Sequence, residues 1–450
     1  MYHINKLGGT AVGNSRYYAN IRDIALMQTR PAFVVSAINP RGKTDGTTSQ
    51  LINIHDNWRR YRQSGWSDMK NYIDPFRKLI NTHNELEHSL GLTQDSRDWM
   101  KSDEIIESNV RKWRETLENN FKLDDFVYLG ELLSANIVSR YLNRHGVDSH
   151  VVDLTGIMKY HHIKVSNSDD RKLFIDNCKL KIPNCVDVSV PVFTGYFGCC
   201  NSYETLGRGY SDTTSAILSS VYGAPLTVWK ESGGVFTGHP FKVDAALQLD
   251  SISLREANEL TSFGNDVLHP MTAQFTKDFG FDVAIRDIRN LTDSGTRIVP
   301  HGDGTEERLV TAISVKENLT VVNVVLDSSK TFNDVLDLIR NFKPVLIGIT
   351  GSSVSIAIDT KDDVSGIYDK LSSCGTVKVL ENRACISCIG EGMKRQLGTS
   401  SKILTELART GKNIEMIRQG PDEINVSVIV ESRDLWTCVE SLHSELIVAA

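Results

Sequence analysis

The sequence has 450 residues, of which 40% are hydrophobic and 24% are charged, and its formal net charge is −6 at pH 7. A chain of this length exceeds one ordinary hydrophobic core, so we expect two or three domains. The sequence has neither a basic stripe nor a long apolar segment, which argues against nucleic-acid and membrane partners. The eight cysteines lack the spacing of a disulfide framework, so we expect a reducing, cytoplasmic location.

The chain opens with a short predicted strand that ends at Lys6, followed by a turn at Gly8 and Gly9, by Thr10 and by a helix. The backbone of such a turn can surround phosphate oxygens, while a nearby lysine can reach a transferring phosphoryl group. The order of residues differs from that of the P-loop, in which the lysine directly follows a glycine. We therefore predict a phosphate site of another type at this turn.

Residues 32–37 form an apolar run of strand length, as in a buried parallel strand, and Ser36 stands near its end. A Gly-Thr-Thr-Ser loop that contains Thr48 follows. Ligands of open α/β sheets lie at the carboxyl ends of strands, so both hydroxyl groups are candidate substrate contacts. Helix capping is the commoner role of such a loop and stays open as an alternative.

A long region rich in Lys, Glu, Arg, Asn and Leu covers residues 55–130 and is predicted to be largely helical. We expect breaks near Pro75 and Gly91, because both residue types interrupt helices. The region ends in a Gly-Glu pair that contains Glu131. Taken alone, this pair is more typical of a helix start than of a binding site.

Residues 205–218 bring together several candidate functional side chains, because glycines, a basic residue, an acid and several hydroxyls precede an apolar run there. This order indicates a loop that enters a helix N-terminus, where free N–H groups and the helix dipole favour anions. Arg208 could hold a carboxylate through two parallel hydrogen bonds, and Asp212 could orient a metal ion or a cationic side chain. The alternative is an ordinary capped helix after a glycine turn.

Two later motifs combine glycine turns with possible catalytic side chains. Residues 226–240 predict a strand followed by a Gly-Gly loop, and residues 258–270 end in a His-Pro pair. We interpret His269 as a structural residue at a helix end. Cys385 and Cys388 fall in a predicted strand, where side chains three positions apart face opposite sides, so we do not expect a metal site there.

The Lys-x-Gly-Gly-Thr opening and the Arg-Gly-Tyr-Ser-Asp-Thr-Thr motif together resemble the amino-acid kinase superfamily and, within it, the aspartate kinases (aspartokinases). The Gly-Thr-Thr-Ser loop is similar to that of the fungal branch. The stretch around Trp229 and the Phe-Gly-x-x-Val-Leu-His-Pro motif that ends at Pro270 extend the resemblance over nearly the whole chain. The same resemblance places Glu131 near the α-amino group of a substrate.

The resemblance implies an α/β architecture in two parts. Residues 1–303 would form the amino-acid kinase fold, a mostly parallel central sheet covered by helices on both faces. Two α+β ACT domains would follow at residues 304–378 and 379–450, the first beginning in a polar, glycine-containing stretch. Their double βαββ pattern implies a possible amino-acid effector, threonine or lysine, and a homodimer or higher homo-oligomer. The first repeat lacks a clear glycine-rich loop after Val325.

The resemblance also implies a reaction: ATP, with Mg²⁺, phosphorylates the side-chain carboxylate of L-aspartate to 4-phospho-L-aspartate, the first step of lysine, threonine and methionine biosynthesis. Lys6 and Asp212 would be catalytic, Arg208 would hold the α-carboxylate and Glu131 the α-amine. The remaining implied substrate contacts are Ser36, Thr48 and Ser211. The implied ATP-binding residues are Gly8, Gly9, Thr10, Lys230, Glu231, Phe236 and Thr237. No side chain is predicted as a direct metal ligand.

Three positions depart from the family's pattern, and a fourth differs from many bacterial members although fungal-type members carry an acid there. His239 replaces an acid, Phe241 an arginine and Ala11 a serine, whereas Asp266 stands where many bacterial members carry a lysine. We hypothesise that Lys230 supplies the positive charge that Asp266 cannot provide. Two alternatives therefore stay open: a kinase for another amino-acid carboxylate in a dedicated pathway, and a non-catalytic regulatory paralogue that senses amino acids.

Overall fold

A computed structural model describes all residues except 41–45, 64–68, 93–100, 116–121, 156–164, 184–188, 198–208, 266, 301–307, 341, 343, 361–363, 395, 421–423 and 450. The chain forms two compact units: Met1–Gly234 with His269–Arg297, and Val235–Leu268 with Ile298–Ala450. The boundary expected after residue 303 stays a prediction, because compact units need not coincide with family domains. In the described residues, no helix combines the length and apolarity needed to cross a membrane.

The first unit is built on a parallel sheet. Its strands are β1 (His3–Leu7), β2 (Pro31–Val35), β3 (Ser149–Val152), β4 (Val190–Thr194), β5 (Leu226–Lys230) and β7 (Val283–Asp287), whereas β6 (Ser251–Ser253) lies in the second unit. They pair in parallel in the order β3-β4-β2-β1-β5-β7. Every residue of β2 is buried, as expected of a parallel strand covered on both faces. The α/β fold predicted from the sequence is confirmed.

Helices follow the strands of the first unit. They are α1 (Gly9–Val12), α2 (Tyr18–Met27), α3 (Thr47–Gln63), α4 (Met69–Ser89), α5 (Ser102–Glu115), α6 (Asp124–Arg144), α7 (Ser168–Lys181), α8 (Tyr210–Tyr222) and α10 (Pro270–Phe279), with α9 (Leu254–Ser262) in the second unit.

The break predicted at Pro75 is wrong, because Pro75 lies inside α4. Its ring removes one helical hydrogen bond. Packing of Phe76 and Leu79 in an apolar cluster with α3 and α6 offsets that loss.

A buried ion pair ties α4 to α6. Arg140 Nη1 lies 2.8 Å from Glu87 Oε1, and the two side chains are only 3% and 2% exposed. Glu87 Oε1 also accepts hydrogen bonds from the backbone N–H and the hydroxyl of Ser102, at the start of α5. Arg140 donates a further hydrogen bond to the carbonyl of Leu92. Both charges are therefore well compensated inside the helical region.

Removal of one partner of this pair should destabilise the protein strongly. We expect Arg140→Met to lower the free energy of unfolding by about 3–5 kcal/mol, because Glu87 is left as a buried, uncompensated charge. Urea denaturation followed by circular dichroism measures the change. The matched control is Lys179→Met, which removes an exposed ion pair with Asp176. We expect that loss to stay within about 0.5 kcal/mol, and equal losses in the two variants would contradict the prediction.

The second unit contains an antiparallel sheet in the order β10-β11-β9-β12-β14-β13. Its strands are β9 (Ala312–Leu326), β10 (Leu346–Ile349), β11 (Ser353–Asp359), β12 (Gly375–Ile389), β13 (Met416–Arg418) and β14 (Asn425–Glu431), and β8 (Thr296–Val299) leads into the unit. Its helices are α11 (Phe332–Leu338), α12 (Val364–Leu371), α13 (Thr399–Arg409) and α14 (Leu435–His443). Two successive strand-helix-strand-strand patterns agree with the predicted α+β repeats.

The two central strands of this sheet, β9 and β12, have 15 residues each. The apolar pattern of residues 311–325 predicts two separate strand pieces, but β9 is continuous and has Asn318 at φ 58° within it. Asn382 has φ 57° at the corresponding place in β12. Asparagine tolerates this left-handed conformation better than most residues do, so each long strand can bend there. Cys385 and Cys388 pack into different apolar clusters, as predicted for opposite faces of a strand.

Candidate active site

Lys6 and Asp212 come together at the centre of the first unit. Lys6 lies in β1, and Asp212 lies in the first turn of α8, after Gly209 with its φ of 97°. Lys6 Nζ is 2.9 Å from Asp212 Oδ1, and the side chains are only 10% and 21% exposed. The positive end of the α8 dipole also stabilises the negative charge of the Asp212 carboxylate. Asp212 therefore orients a cationic side chain, which is one of the two roles predicted from the sequence.

Two predicted hydroxyl groups lie on neighbouring elements of the same unit. Ser36 follows β2, and Ser211 precedes Asp212 in α8. Their Oγ atoms are 2.7 Å apart. The backbone N–H of Ser36 donates to the carbonyl of Leu7, so β1 and β2 deliver Lys6 and Ser36 to the same edge of the sheet. Thr48 lies half-buried in the first turn of α3.

Glu131 is not at a helix start, because α6 begins seven residues earlier, at Asp124. The side chain is buried, with 2% exposure. Oε1 accepts a hydrogen bond from the backbone N–H of Ala37, and Oε2 accepts one from the Tyr210 hydroxyl at 3.5 Å. Burial raises the pKa of Glu131 to about 8, although these hydrogen bonds and the charge of Lys6 act in the opposite direction.

Glycine is required next to Glu131 for a steric reason. A Cβ atom on Gly130 would lie 2.8 Å from the Cβ of Ala37 and 3.1 Å from Cγ2 of Thr47. Real Cβ atoms do not approach this closely, so glycine lets α6 pack against the segment after β2. The Gly-Glu pair therefore places a carboxylate beside the end of β2. This is the feature that a helix-start interpretation misses.

The predicted phosphate turn brings Gly9 against the segment after β2. A Cβ on Gly9 would lie 2.5 Å from the carbonyl oxygen of Ala37, whereas a Cβ on Gly8 would meet its nearest neighbour, the Trp229 carbonyl oxygen, at 4.0 Å. Thr10 is exposed at the same turn. Ala11, in place of the family's serine, is buried in the apolar cluster around α2 and α6.

The two glycines should therefore differ in their tolerance of alanine. We expect Gly9→Ala to lower the thermal unfolding midpoint, because the new methyl group must displace backbone atoms. Gly8→Ala is the matched control and should leave the midpoint within about 1 °C, since Gly8 has an extended backbone that alanine adopts and an added Cβ meets no steric conflict. Differential scanning fluorimetry compares the two variants. Equal midpoints would show that the turn adapts to a Cβ at Gly9.

The predicted ATP-binding segment is divided between the two units. Lys230 ends β5 and Glu231 follows it in the first unit, where burial, and then the Glu231 carboxylate, raises the pKa of Tyr17. Phe236 and Thr237 belong to the second unit. The Thr237 hydroxyl accepts a hydrogen bond from the backbone N–H of Leu247 and contacts Nε2 of His443 at 2.8 Å.

Four further residues that the sequence singles out are His269, Arg208, Asp266 and Phe241. His269 is structural, as predicted: Nδ1 accepts a hydrogen bond from the backbone N–H of Met271 and caps α10. Arg208 lies outside the described residues, and so does Asp266. Phe241, which replaces the family's arginine, is 77% exposed.

Sequence reasoning missed Tyr210 as a candidate site residue. Its hydroxyl contacts Glu131, which lies 79 positions earlier in the chain. The available signal was its position inside the Arg-Gly-Tyr-Ser-Asp motif, between a glycine and two predicted site residues.

Comparison with known proteins places this geometry in a family context. A sequence model of the Amino acid kinase family matches residues 1–287, and one of an ACT domain matches residues 386–446. The aspartokinase of Saccharomyces cerevisiae is 27% identical, and the alignment covers 99% of this chain and 92% of that protein.

Solved structures share the fold over the full chain. The aspartate kinase of Clostridium acetobutylicum has a TM-score of 0.77 at 23% identity, covering 99% of this chain and 100% of that one. Aspartokinase III of Escherichia coli, in complex with aspartate and ADP, has a TM-score of 0.74 at 21% identity, with coverage of 99% and 100%. The predicted fold class is thus confirmed over both units.

Proposed function

The chain belongs to the amino acid kinase family, and we propose that it is an aspartate kinase, which transfers the terminal phosphoryl group of ATP to the side-chain carboxylate of L-aspartate. The observation that carries this proposal is the largely buried ion pair of Lys6 and Asp212, together with the contact between Ser36 and Ser211, the residue next to Asp212. Full-length similarity to fungal aspartokinases supports the choice of aspartate within the family.

The chemical step needs positioning and charge neutralisation more than acid–base catalysis. One oxygen of the substrate carboxylate attacks the γ-phosphorus, and the bond between that phosphorus and the β–γ bridging oxygen breaks. The products are an acyl phosphate and ADP. The carboxylate is already ionised near neutral pH, so no general base is needed. Lys6 neutralises the charge on the transferring group, and Asp212 holds the ammonium in place.

Substrate recognition uses charges at both ends of the amino acid. Glu131 pairs with the α-ammonium, and its burial makes that pairing strong once the carboxyl is ionised. Arg208 is proposed for the α-carboxylate on the strength of the motif alone. Ser36, Thr48 and Ser211 supply neutral hydrogen bonds.

By the family resemblance, the nucleotide phosphates would be held by Gly8, Gly9 and Thr10, and Lys230, Glu231, Phe236 and Thr237 would be further nucleotide-binding residues. The glycine turn and the Lys6 ammonium fit an anionic group in their chemistry. Mg²⁺, when bound with ATP, would neutralise phosphate charge, and Asp212 would help to organise it. We assign residues 1–303 to this catalytic domain.

The C-terminal part is proposed as regulatory. Residues 304–378 and 379–450 would be two ACT domains that bind an amino-acid effector, threonine or lysine, and that join subunits into a homodimer or larger homo-oligomer. The match of residues 386–446 to an ACT domain supports the second of these domains. A cytoplasmic location fits the cysteine usage.

The test is to trap the acyl phosphate with hydroxylamine in the presence of ATP, Mg²⁺ and L-aspartate. Parallel reactions contain L-glutamate or no amino acid, and Asp212→Asn is the inactive control. Aspartate-dependent hydroxamate is expected. Hydroxamate from another amino acid would favour a kinase of a dedicated pathway, whereas ATP binding without any product would favour a regulatory paralogue.

A further inference from the structure

One face of α6 carries two carboxylates and one apolar residue. Asp124, Val127 and Glu131 follow one another at spacings of three and four positions, which place them on the same side of the helix. Val127 is fully buried in a small cluster with Tyr196 and Tyr210. The two tyrosines therefore cover the α6 face that presents Glu131.

The two tyrosines form a rigid pair. Their rings lie edge to face, with centroids 4.8 Å apart and planes at 89°. Tyr196 is fully buried and Tyr210 is 5% exposed. Tyr196 donates its hydroxyl hydrogen to Asp124, and Tyr210 donates its own to Glu131. Each carboxylate of the face thus has its own tyrosine, and ring packing limits the movement of both.

We propose that Tyr210 is a positioning residue for the substrate ammonium, because it aims Oε2 of Glu131 and connects Glu131 to the motif that carries Ser211 and Asp212. This inference rests on the proposed function, in which Glu131 binds the α-amine. The backbone N–H of Ala37 donates to Oε1, and the hydroxyl of Tyr210 donates to the second oxygen, Oε2, at 3.5 Å. Tyr210 begins α8 directly after Gly209, and any movement of that motif moves its hydroxyl.

The charged state of Glu131 depends on the same hydroxyl. The groups that favour the ionised form are the Ala37 N–H after β2, the Tyr210 hydroxyl on α8, the backbone of Glu131 itself and the Lys6 ammonium on β1. Loss of one donor from a buried carboxylate makes ionisation harder. Tyr210→Phe keeps the ring and its packing but removes this donor, so the pKa of Glu131 should rise above its value of about 8.

The experiment compares Tyr210→Phe with Tyr196→Phe in the full chain. Glutamate labelled with ¹³C at its side-chain carboxyl reports the titration midpoint of Glu131, and Glu131→Gln assigns the resonance. We expect the midpoint to rise by roughly half a pH unit in Tyr210→Phe and to stay unchanged in Tyr196→Phe, whose hydroxyl contacts Asp124. The KM for L-aspartate in Tyr210→Phe should rise about two- to fivefold at pH 7, with a smaller change in kcat.

The outcomes separate this inference from the function on which it rests. Turnover with L-aspartate, combined with an unchanged midpoint and KM in Tyr210→Phe, would overturn the role of Tyr210 alone. Absence of aspartate-dependent turnover in the unmodified protein would overturn the substrate assignment, and the ammonium role with it. A shift of equal size in Tyr196→Phe, whose hydroxyl contacts Asp124 and not Glu131, would mean that the shift is not specific to the Tyr210–Glu131 hydrogen bond, and would overturn the role of Tyr210.

Discussion

Lys6→Ala is expected to lower kcat about 100- to 1,000-fold, because it removes a preorganised positive charge from the transferring phosphoryl group. The ammonium is held by Asp212 at 2.9 Å in a largely buried position, so water cannot replace it without loss of geometry. A coupled assay for ADP release, at saturating ATP and L-aspartate, measures the effect. The KM for L-aspartate should change less than kcat, since Lys6 acts on the transition state.

The control for this variant is Lys172→Ala, which removes an exposed lysine from α7. We expect it to keep the kcat of the unmodified protein. Asp212→Asn should lower kcat as well, and the double variant should lose less than the product of the two single effects, because the residues act as a unit. A Lys6→Ala protein that retains at least a third of its kcat would remove Lys6 from the mechanism.

The KM for L-aspartate should fall as the pH rises from about 6 to about 8, with roughly a tenfold change per pH unit over most of this range. Burial raises the pKa of Glu131 to about 8. Below that value the carboxyl is protonated and neutral in the free protein, so binding of the substrate ammonium must first remove a proton. Initial rates at fixed ATP and varied L-aspartate, across the pH range, test this dependence.

Glu131→Gln is the matched control, because it keeps the shape of the side chain and cannot ionise. Its KM should be high and nearly independent of pH. A pH profile of the unmodified protein as flat as that of Glu131→Gln would show that Glu131 does not bind the ammonium. A profile that persists in Glu131→Gln would assign the titration to another group.

The raised pKa of Glu131 affects protein stability in the opposite direction: a rise in pH favours substrate binding but lowers the free energy of unfolding. A carboxyl whose pKa is higher in the folded than in the unfolded chain contributes stability below its ordinary pKa, and this contribution is lost as the pH rises through about 8. Glu131→Gln should therefore gain stability relative to the unmodified protein at alkaline pH. Substrate binding is thus favoured in the pH range where the buried Glu131 carboxyl is ionised and contributes least to the stability of the folded protein.

Short-range patterns were sufficient to predict much of the first unit. Apolar runs predicted buried strands such as β2, and the rule that ligands lie at the carboxyl ends of parallel strands identified Ser36 as a candidate substrate contact. These inferences work because strand direction and side-chain spacing are local properties of the chain. The structural role of His269 was accessible for the same reason, since a His-Pro pair is a local helix-start signal.

Other features depended on residues far apart in sequence. The sequence predicted a break at Pro75, but packing of α4 against its neighbours keeps the helix continuous. In α4, the free energy of tertiary packing outweighs a local preference of about 3 kcal/mol against proline. The sequence predicted one continuous nucleotide-binding segment over residues 226–240. No local pattern indicates that the chain passes from one compact unit to the other after Gly234.

The sequence by itself therefore determined which chemical groups are present and which strand ends deliver them. Only the tertiary structure decided their state: that Glu131 lies in the middle of a helix, that its carboxyl is buried, and that Tyr210 donates to it. The physical reason is that burial and hydrogen bonding arise from contacts between distant segments. A carboxyl group in a sequence has its ordinary pKa until the folded chain removes water from around it.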